Sequence, residues 1–405
     1  GGRGAPGLSR PLRVFIGAFG ATGHVFPALA LGRALRTRGH DVVVESVERW
    51  REVIEELGFG FEAAPEYVAF PFQWPGMPAE PTLGQVVVDL EVPLRALDPD
   101  VVVNDFFTIP PLLAAERLGI RRATVIPHVY PAADPGLPRF LLGRRPPRTP
   151  LGSLAWRLAR PWTDRLPIRE RDELNQVRVE LGLAPLERFY GGLSEQLVLA
   201  ATFPQLEFPR DWPPHVHVTG PMFFELPHPP VALPDGELPL VLVAGSTAQD
   251  QELEFVRIAL EALADEPVRV LAAMNQRGRR WERPVPENAT VVDWVSYEQV
   301  MPHASLLLCN GGHGTVVRGL ADGVPVLVSP SDGDMRENGA RVSWAGAGRM
   351  LPRRLLRSDA LRWLVRRMLS DRRMKARAAA IAAWSRDHDG AARGAELIER
   401  LAEQR

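Results

Sequence analysis

The sequence predicts an α/β protein made of two doubly wound, Rossmann-like domains that face a central cleft. Three observations predict it. A strand–glycine turn–helix–strand grammar opens the first half and recurs in the second. The runs that read as strands are short and continuously apolar, as strands covered on both faces are. A proline-rich stretch, residues 204–239, lies between the halves and reads as an extended linker.

Each element follows in chain order. Residues 1–10 are glycine-rich, lack an apolar core and read as a disordered tail rather than a signal peptide. Val14-Phe15-Ile16 is the first strand; a glycine turn, the helical stretch PALALGRALRTRG and the strand Val42-Val43-Val44 follow. Val101-Val102-Val103 follows the turn Asp98-Pro99-Asp100 and runs into Asn104-Asp105. Pro111 opens a helix ending near Gly119, and Thr124-Val125-Ile126 is a further strand. Two tracts read as long irregular loops, residues 66–81, aromatic and proline-rich, and residues 131–169, rich in Pro and Arg. Loops of that length in a compact domain are commonly functional.

The second half opens with the strand Leu240-Val241-Leu242-Val243, the turn Gly245-Ser246-Thr247 and the helical stretch ELEFVRIALEALA. Strands follow at Arg269-Val270-Leu271, Val291-Val292, Leu306-Leu307-Leu308 and Val326-Leu327-Val328. The chain closes in Ala- and Arg-rich helical patterns. The expected division is a first domain over residues 11–218, a second over 219–384 and a terminal helix over 385–405.

Composition narrows the chemistry. The chain has 405 residues, 45% hydrophobic and 24% charged, with a net charge of −1. Those are ordinary globular values, and no global field draws nucleic acid or anionic membrane. No apolar run reaches the ~20 residues of a membrane helix, so stable membrane insertion is not expected. Cys309 is the only cysteine, which excludes an intrachain disulfide and suits a reducing compartment such as the cytoplasm. Lys375 is the only lysine. A P-loop needs Gly-Lys, and a short-chain dehydrogenase needs Tyr-x-x-x-Lys; neither exists here.

Several residues carry candidate chemistry. His24, in Gly23-His24-Val25-Phe26-Pro27, stands where a strand hands over to a helix, at the edge where ligands bind in such folds. A neutral imidazole there could take a proton from a hydroxyl; it could also bond only locally. Asp105 ends its strand at the same edge and could hold the imidazole, although Asn104 or Asp105 could equally cap the next helix. Asn310-Gly311-Gly312-His313-Gly314-Thr315 offers free backbone N–H groups at a helix start, a cradle for a diphosphate without lysine. Trp294 could stack on a nucleobase or serve as core. Asp334 could accept from sugar hydroxyls or remain a loop carboxylate. His215 and His217 share a strand face, without a carboxylate cluster to suggest a metal.

Together these residues resemble the family-1 glycosyltransferases of the GT-B fold, especially those of bacterial natural products. Gly23-His24-Val25-Phe26-Pro27 resembles the family's G-H-x-x-P, whose histidine is the catalytic base, and residues 99–105 resemble the strand ending in its aspartate partner. Thr219-Gly220-Pro221 resembles the entry to the donor domain, Gly245-Ser246-Thr247 the G-S-T turn, and residues 294–335 the nucleotide-sugar signature. The resemblance implies inverting transfer from a UDP-, dTDP- or GDP-sugar to a hydroxyl of a small hydrophobic acceptor, with His24 and Asp105 catalytic and no metal or other cofactor. The implied donor contacts are Gly23, Ser246, Thr247, Trp294, Val295, Asn310, Gly311, Gly312, His313, Gly314, Thr315, Asp334 and Met335. Phe70, Phe72, Trp74 and Phe106 are the candidate acceptor contacts. The terminal helix is expected to cross back to the first domain, and the protein to be a monomer or homodimer. Asn310 stands where the family usually has His, Arg318 where many members have a ribose-binding Glu, and Met335 and Tyr297 where Gln is frequent. A nucleotide-sugar epimerase on a similar fold and a non-catalytic auxiliary protein are the alternatives.

Overall fold

The computed structural model describes residues 10–65, 81–132, 136–187, 193–246, 250, 252–331 and 333–404, without the side chains of residues 165–167. Among them, two all-parallel sheets form. The first contains β1 (Arg13–Gly17), β2 (Asp41–Ser46), β3 (Gly60–Ala63), β4 (Val101–Asp105), β5 (Arg121–Ile126), β6 (Val198–Ala200) and β7 (Val216–Val218), in the order β3-β2-β1-β4-β5-β6-β7. The second contains β8 (Leu240–Ala244), β9 (Arg269–Ala273), β10 (Ala289–Val292), β11 (Ala304–Cys309), β12 (Val326–Val328) and β13 (Gly348–Met350), in the order β10-β9-β8-β11-β12-β13. In each sheet the order reverses beside the first strand, which opens a crevice at the carboxyl ends.

The apolar runs occupy the sheet centres. Phe15 of β1 lies opposite Val43 of β2 and Val102 of β4, and every residue of β4 and β8 is buried. β3, β7 and β13 carry no strong apolar signature and were not legible as strands, while β6 lies in the buried apolar run Leu197–Ala201, which the sequence reading did not name. β7 lies inside the stretch expected to be a linker, so the connection between the sheets is residues 219–239. Likewise, residues 131–169 are not wholly irregular: a helix, Pro150–Thr163, and the start of another, Arg165–Glu180, lie there. Thr149 caps the first, accepting from the Gly152 N–H at 3.2 Å; proline at the first position suits a helix start.

The connection between the sheets joins both cores. Met222 and Phe224 pack into the first, with Ile16 and Leu29, while Phe223 packs against the second. The chain then returns. Helix Arg372–Arg386 packs on helix His313–Ala321 of the second domain, and helix Gly390–Glu403 packs on helix Thr22–Thr37 of the first, with Ala395 and Ile398 fully buried. The turn between them is residues 387–389, and Asp389 caps the last helix by accepting from Ala391 N–H at 2.9 Å. Gly390 is required: a Cβ there would sit 2.2 Å from the Gly220 carbonyl oxygen. A buried ion pair also links the halves. Arg341 donates to Glu207 at 2.8 Å and to the Leu206 carbonyl at 3.0 Å, and the Tyr130 N–H donates to the same carboxylate at 2.6 Å. No helix among the described residues is long and apolar enough to cross a membrane.

Candidate functional site

The site is built where strand ends from both sheets converge. β1 ends at Gly17, and the chain turns into helix Thr22–Thr37, which carries His24 in its first turn. β4, the neighbour of β1, ends at Asp105. Register therefore brings the two side chains together: His24 Nδ1 lies 3.0 Å from each carboxylate oxygen of Asp105. Asp105 does not cap the following helix, Pro110–Leu118, whose cap position is Ile109. Instead it also accepts from the Phe107 N–H at 2.8 Å, which fixes the carboxylate. Asn104 turns inward, donating to the Asp105 carbonyl at 2.9 Å and accepting from the Thr124 hydroxyl at 2.8 Å.

Because carboxylates only accept, Nδ1 carries the ring proton and Nε2 is the basic nitrogen. Burial acts to lower the His24 pKa, but the Asp105 charge and hydrogen bond, with a further pull from Asp334, outweigh it and raise it above the ordinary imidazole value. Aromatic rings hold the imidazole: Phe107 stacks on it at 4.5 Å between centroids, and Phe19 meets it edge-on at 5.4 Å. His128, just beyond β5, lies 6.5 Å away and stacks on Phe140. Burial pushes His128 down to about 4, so it stays neutral.

The second domain supplies the anion-binding half. β11 ends at Cys309, and residues 310–312 turn the chain into helix His313–Ala321. Among the described residues no side chain caps that helix, which leaves its first N–H groups at the positive end of the dipole. Gly311 has φ +96°, and a Cβ there would lie 2.5 Å from Val328 Cγ1 and 3.0 Å from the Met335 carbonyl. Asn338 secures the turn, donating to the Gly311 carbonyl at 2.8 Å and accepting from His313 at 2.9 Å. The Nδ1 of His313 is thus spent on the loop; burial pushes the imidazole down to about 4, leaving it uncharged. Asn310 donates to the Ser331 hydroxyl at 3.2 Å, while its buried side-chain oxygen has no hydrogen-bond partner among the described residues.

Between the two halves lies a cleft of about 230 Å³. Its walls include Gly23, Phe26, Ser246, Trp294, Val295, Asn310, Gly312, His313, Gly314, Thr315 and Met335. His24 borders it without lining it, between Gly23 and Phe26. Gly311 stands behind the wall, shaping the turn. Asp334 opens helix Asp334–Ala345; burial raises its carboxyl, against the pull of His313 and His24. Trp294 is not core: it is half-buried, with the Arg277 guanidinium 4.8 Å above its ring. Phe106 is buried in a small cluster with Ile126 and Tyr130, and its neighbour Phe107 is the ring at His24. Thr247, Phe70, Phe72 and Trp74 lie outside the described residues. His217 lies on β7, and among the described residues no group of three or more His, Cys, Asp or Glu side chains could hold a metal.

Sequence reading missed Phe223, Glu225 and Asn275 on the wall. Arg318 lies 4.2 Å over Phe223 and 3.9 Å from Glu225. Glu225 accepts from the Ser296 hydroxyl at 2.8 Å and the Tyr297 N–H at 3.1 Å. Tyr297 receives a hydrogen bond from Asn275 at 2.8 Å, and burial pushes its phenol up to about 12. Glu225 and Asn275 carried no motif, since only folding brings them beside Tyr297. Asn338 had a faint signal, four residues after Asp334 on one helix face.

Two facing α/β domains, a His–Asp pair on one and an open helix N-terminus on the other define a GT-B glycosyltransferase. Comparison with known proteins agrees along the whole chain. The glycosyltransferase family 28 N-terminal domain matches residues 14–125, and the erythromycin biosynthesis protein CIII-like C-terminal domain matches residues 257–403. The chain is 30% identical to 4'-demethylrebeccamycin synthase of Lentzea aerocolonigenes, over 96% of this chain and 99% of that one. It is 29% identical to O-mycaminosyltylonolide 6-deoxyallosyltransferase of Streptomyces fradiae, over 97% and 98% respectively. The calicheamicin glycosyltransferase shares the fold, with a TM-score of 0.74 at 23% identity over 97% of this chain and 98% of that one. The chain belongs to the natural-product glycosyltransferases.

Proposed function

We propose that this glycosyltransferase moves a sugar from a nucleoside diphosphate sugar to a hydroxyl of a small hydrophobic acceptor, with inversion. The observation that carries the reading is His24 held by both oxygens of Asp105 at 3.0 Å, beside an interdomain cleft. Nε2 takes the acceptor O–H proton as the oxygen attacks the anomeric carbon. The bond from that carbon to the diphosphate oxygen breaks, and the nucleoside diphosphate leaves. Asp105 stabilises the imidazolium. The growing negative charge meets the N–H groups at residues 312–315, preorganised and partly screened from water. The nucleobase stacks on Trp294, and Asp334 accepts from the sugar hydroxyls. No metal is assigned a role. The lone cysteine suits work in the cytoplasm. Both full-length relatives above are named for natural-product synthesis or sugar transfer, which favours transfer over epimerisation.

The test separates chemistry from donor binding, because the groups sit on different domains. His24→Ala should lower transfer to an alcohol by about 10²–10⁴-fold, the worth of a positioned base. Calorimetry should show nearly unchanged affinity for UDP, dTDP or GDP, and a nitrophenol acceptor should recover part of the rate. Near-normal turnover with an alcohol removes His24 from the mechanism; no nucleotide binding at millimolar concentration removes the donor assignment.

A further inference from the structure

Helix Pro150–Thr163 has no buried residue. Four of its large apolar side chains nevertheless share one face, while Trp156 lies half-buried on the opposite side. Leu151, Leu154, Leu158 and Trp162 fall within an arc of about 80°. Leu151 is 78% exposed, Leu158 64% and Trp162 66%. Leu141 and Leu142, also exposed, extend the apolar surface on the segment that leads into the helix. A stripe of this size on a soluble surface marks an interaction site.

The charge around it identifies the partner. Residues 139–162 contain six arginines and no Asp or Glu, in a chain whose net charge is −1. Arg139 and Arg160 face Asp164, at 3.7 and 2.9 Å. Arg144, Arg145, Arg148 and Arg157 are exposed and have no ion pair among the described residues. A second copy of the chain docking on the same patch would set arginine against arginine. An acidic protein would answer the charge and leave the leucines without matching apolar surface. An anionic lipid surface answers both, through headgroups for the guanidinium groups and an acyl boundary for Leu and Trp.

We propose that this face docks the enzyme reversibly on an anionic lipid bilayer, with helix Pro150–Thr163 lying in the interface plane. The docked segment adjoins the reaction centre: Phe140, next to Leu141, stacks on His128 beside His24. The proposal is independent of the donor and base assignments.

The full chain should co-sediment with phosphatidylcholine–phosphatidylglycerol vesicles, much less with phosphatidylcholine alone, and be released by high salt. Changing Arg144, Arg145 and Arg148 together to Gln should weaken binding roughly a hundredfold, from the worth of each cation near such a surface. Leu158→Glu should abolish it while leaving circular dichroism and thermal unfolding unchanged, since that side chain faces water. No vesicle binding, equal binding to both vesicle types, or binding that survives either variant overturns the proposal. So does a self-association of the free protein that Leu158→Glu dissolves, which would give the face to a second copy.

Discussion

Glu45 offers a quantitative test of the first domain. It lies near the end of β2, paired across the sheet with Gly17 of β1 and Glu62 of β3, directly behind the loop that delivers His24. Burial pushes its carboxyl from 4.5 up to about 8, with the Glu62 charge adding to the rise, and Oε2 has no hydrogen-bond partner among the described residues. A raised carboxyl favours the folded state when protonated. Its contribution is fully present below 4.5 and is lost as pH rises through about 8. At pH 7 the interval from the unfolded value is 2.5 units (7 − 4.5), so the accumulated loss is about 3 kcal/mol. Glu45→Gln keeps the shape and does not titrate. The variant and the parent should therefore differ little at pH 4, and the variant should be more stable by about 3 kcal/mol at pH 7. Urea unfolding of both proteins across that pH range measures the difference, in which all other titrating groups cancel. A difference that is constant with pH, or that shrinks as pH rises, refutes the reasoning.

Two further outcomes follow from the site. With His24 as the proposed base, transfer needs it neutral, so activity should fall as pH drops through its raised pKa; Asp105→Asn removes the charge that raises it, so the acid limb of kcat/KM should move to lower pH as the maximal rate falls. An acid limb left in place would show that Asp105 does not govern the titrating group. Gly311→Ala should destabilise the second domain by about 1–3 kcal/mol and weaken nucleotide binding, because its positive φ and the contact with Val328 leave no room for a methyl group. Calorimetry with UDP or dTDP and thermal unfolding read the two effects separately, and unchanged values in both would contradict the turn geometry.

The apolar runs at residues 14–16, 101–103, 240–243 and 306–308 determined the two parallel sheets, because a strand buried on both faces must be apolar throughout. The motifs around His24 and residues 310–315 were equally legible, since a glycine turn between strand and helix dictates where its side chains emerge. Edge strands such as β7 and β13 were not, because a short strand owes its conformation to the neighbour it pairs with. Charge showed the same division. A net charge of −1 excluded a global attraction to anionic surfaces, and the arginines of residues 139–162 were legible as a run, but only the fold decided that the leucines beside them in sequence stay exposed. Only the tertiary structure decided which candidates meet. Asp105 could have capped a helix until β1 and β4 paired and set it against His24. His313 lines the cleft, but that its Nδ1 would go to Asn338 was settled only when helix Asp334–Ala345 packed beside the turn. Phe107 rather than Phe106 reached the imidazole, because successive residues leaving a strand point to opposite faces. A sequence states which groups exist and their local period; which partner each one finds depends on contacts between residues far apart in the chain, and those exist only after the sheets have closed around them.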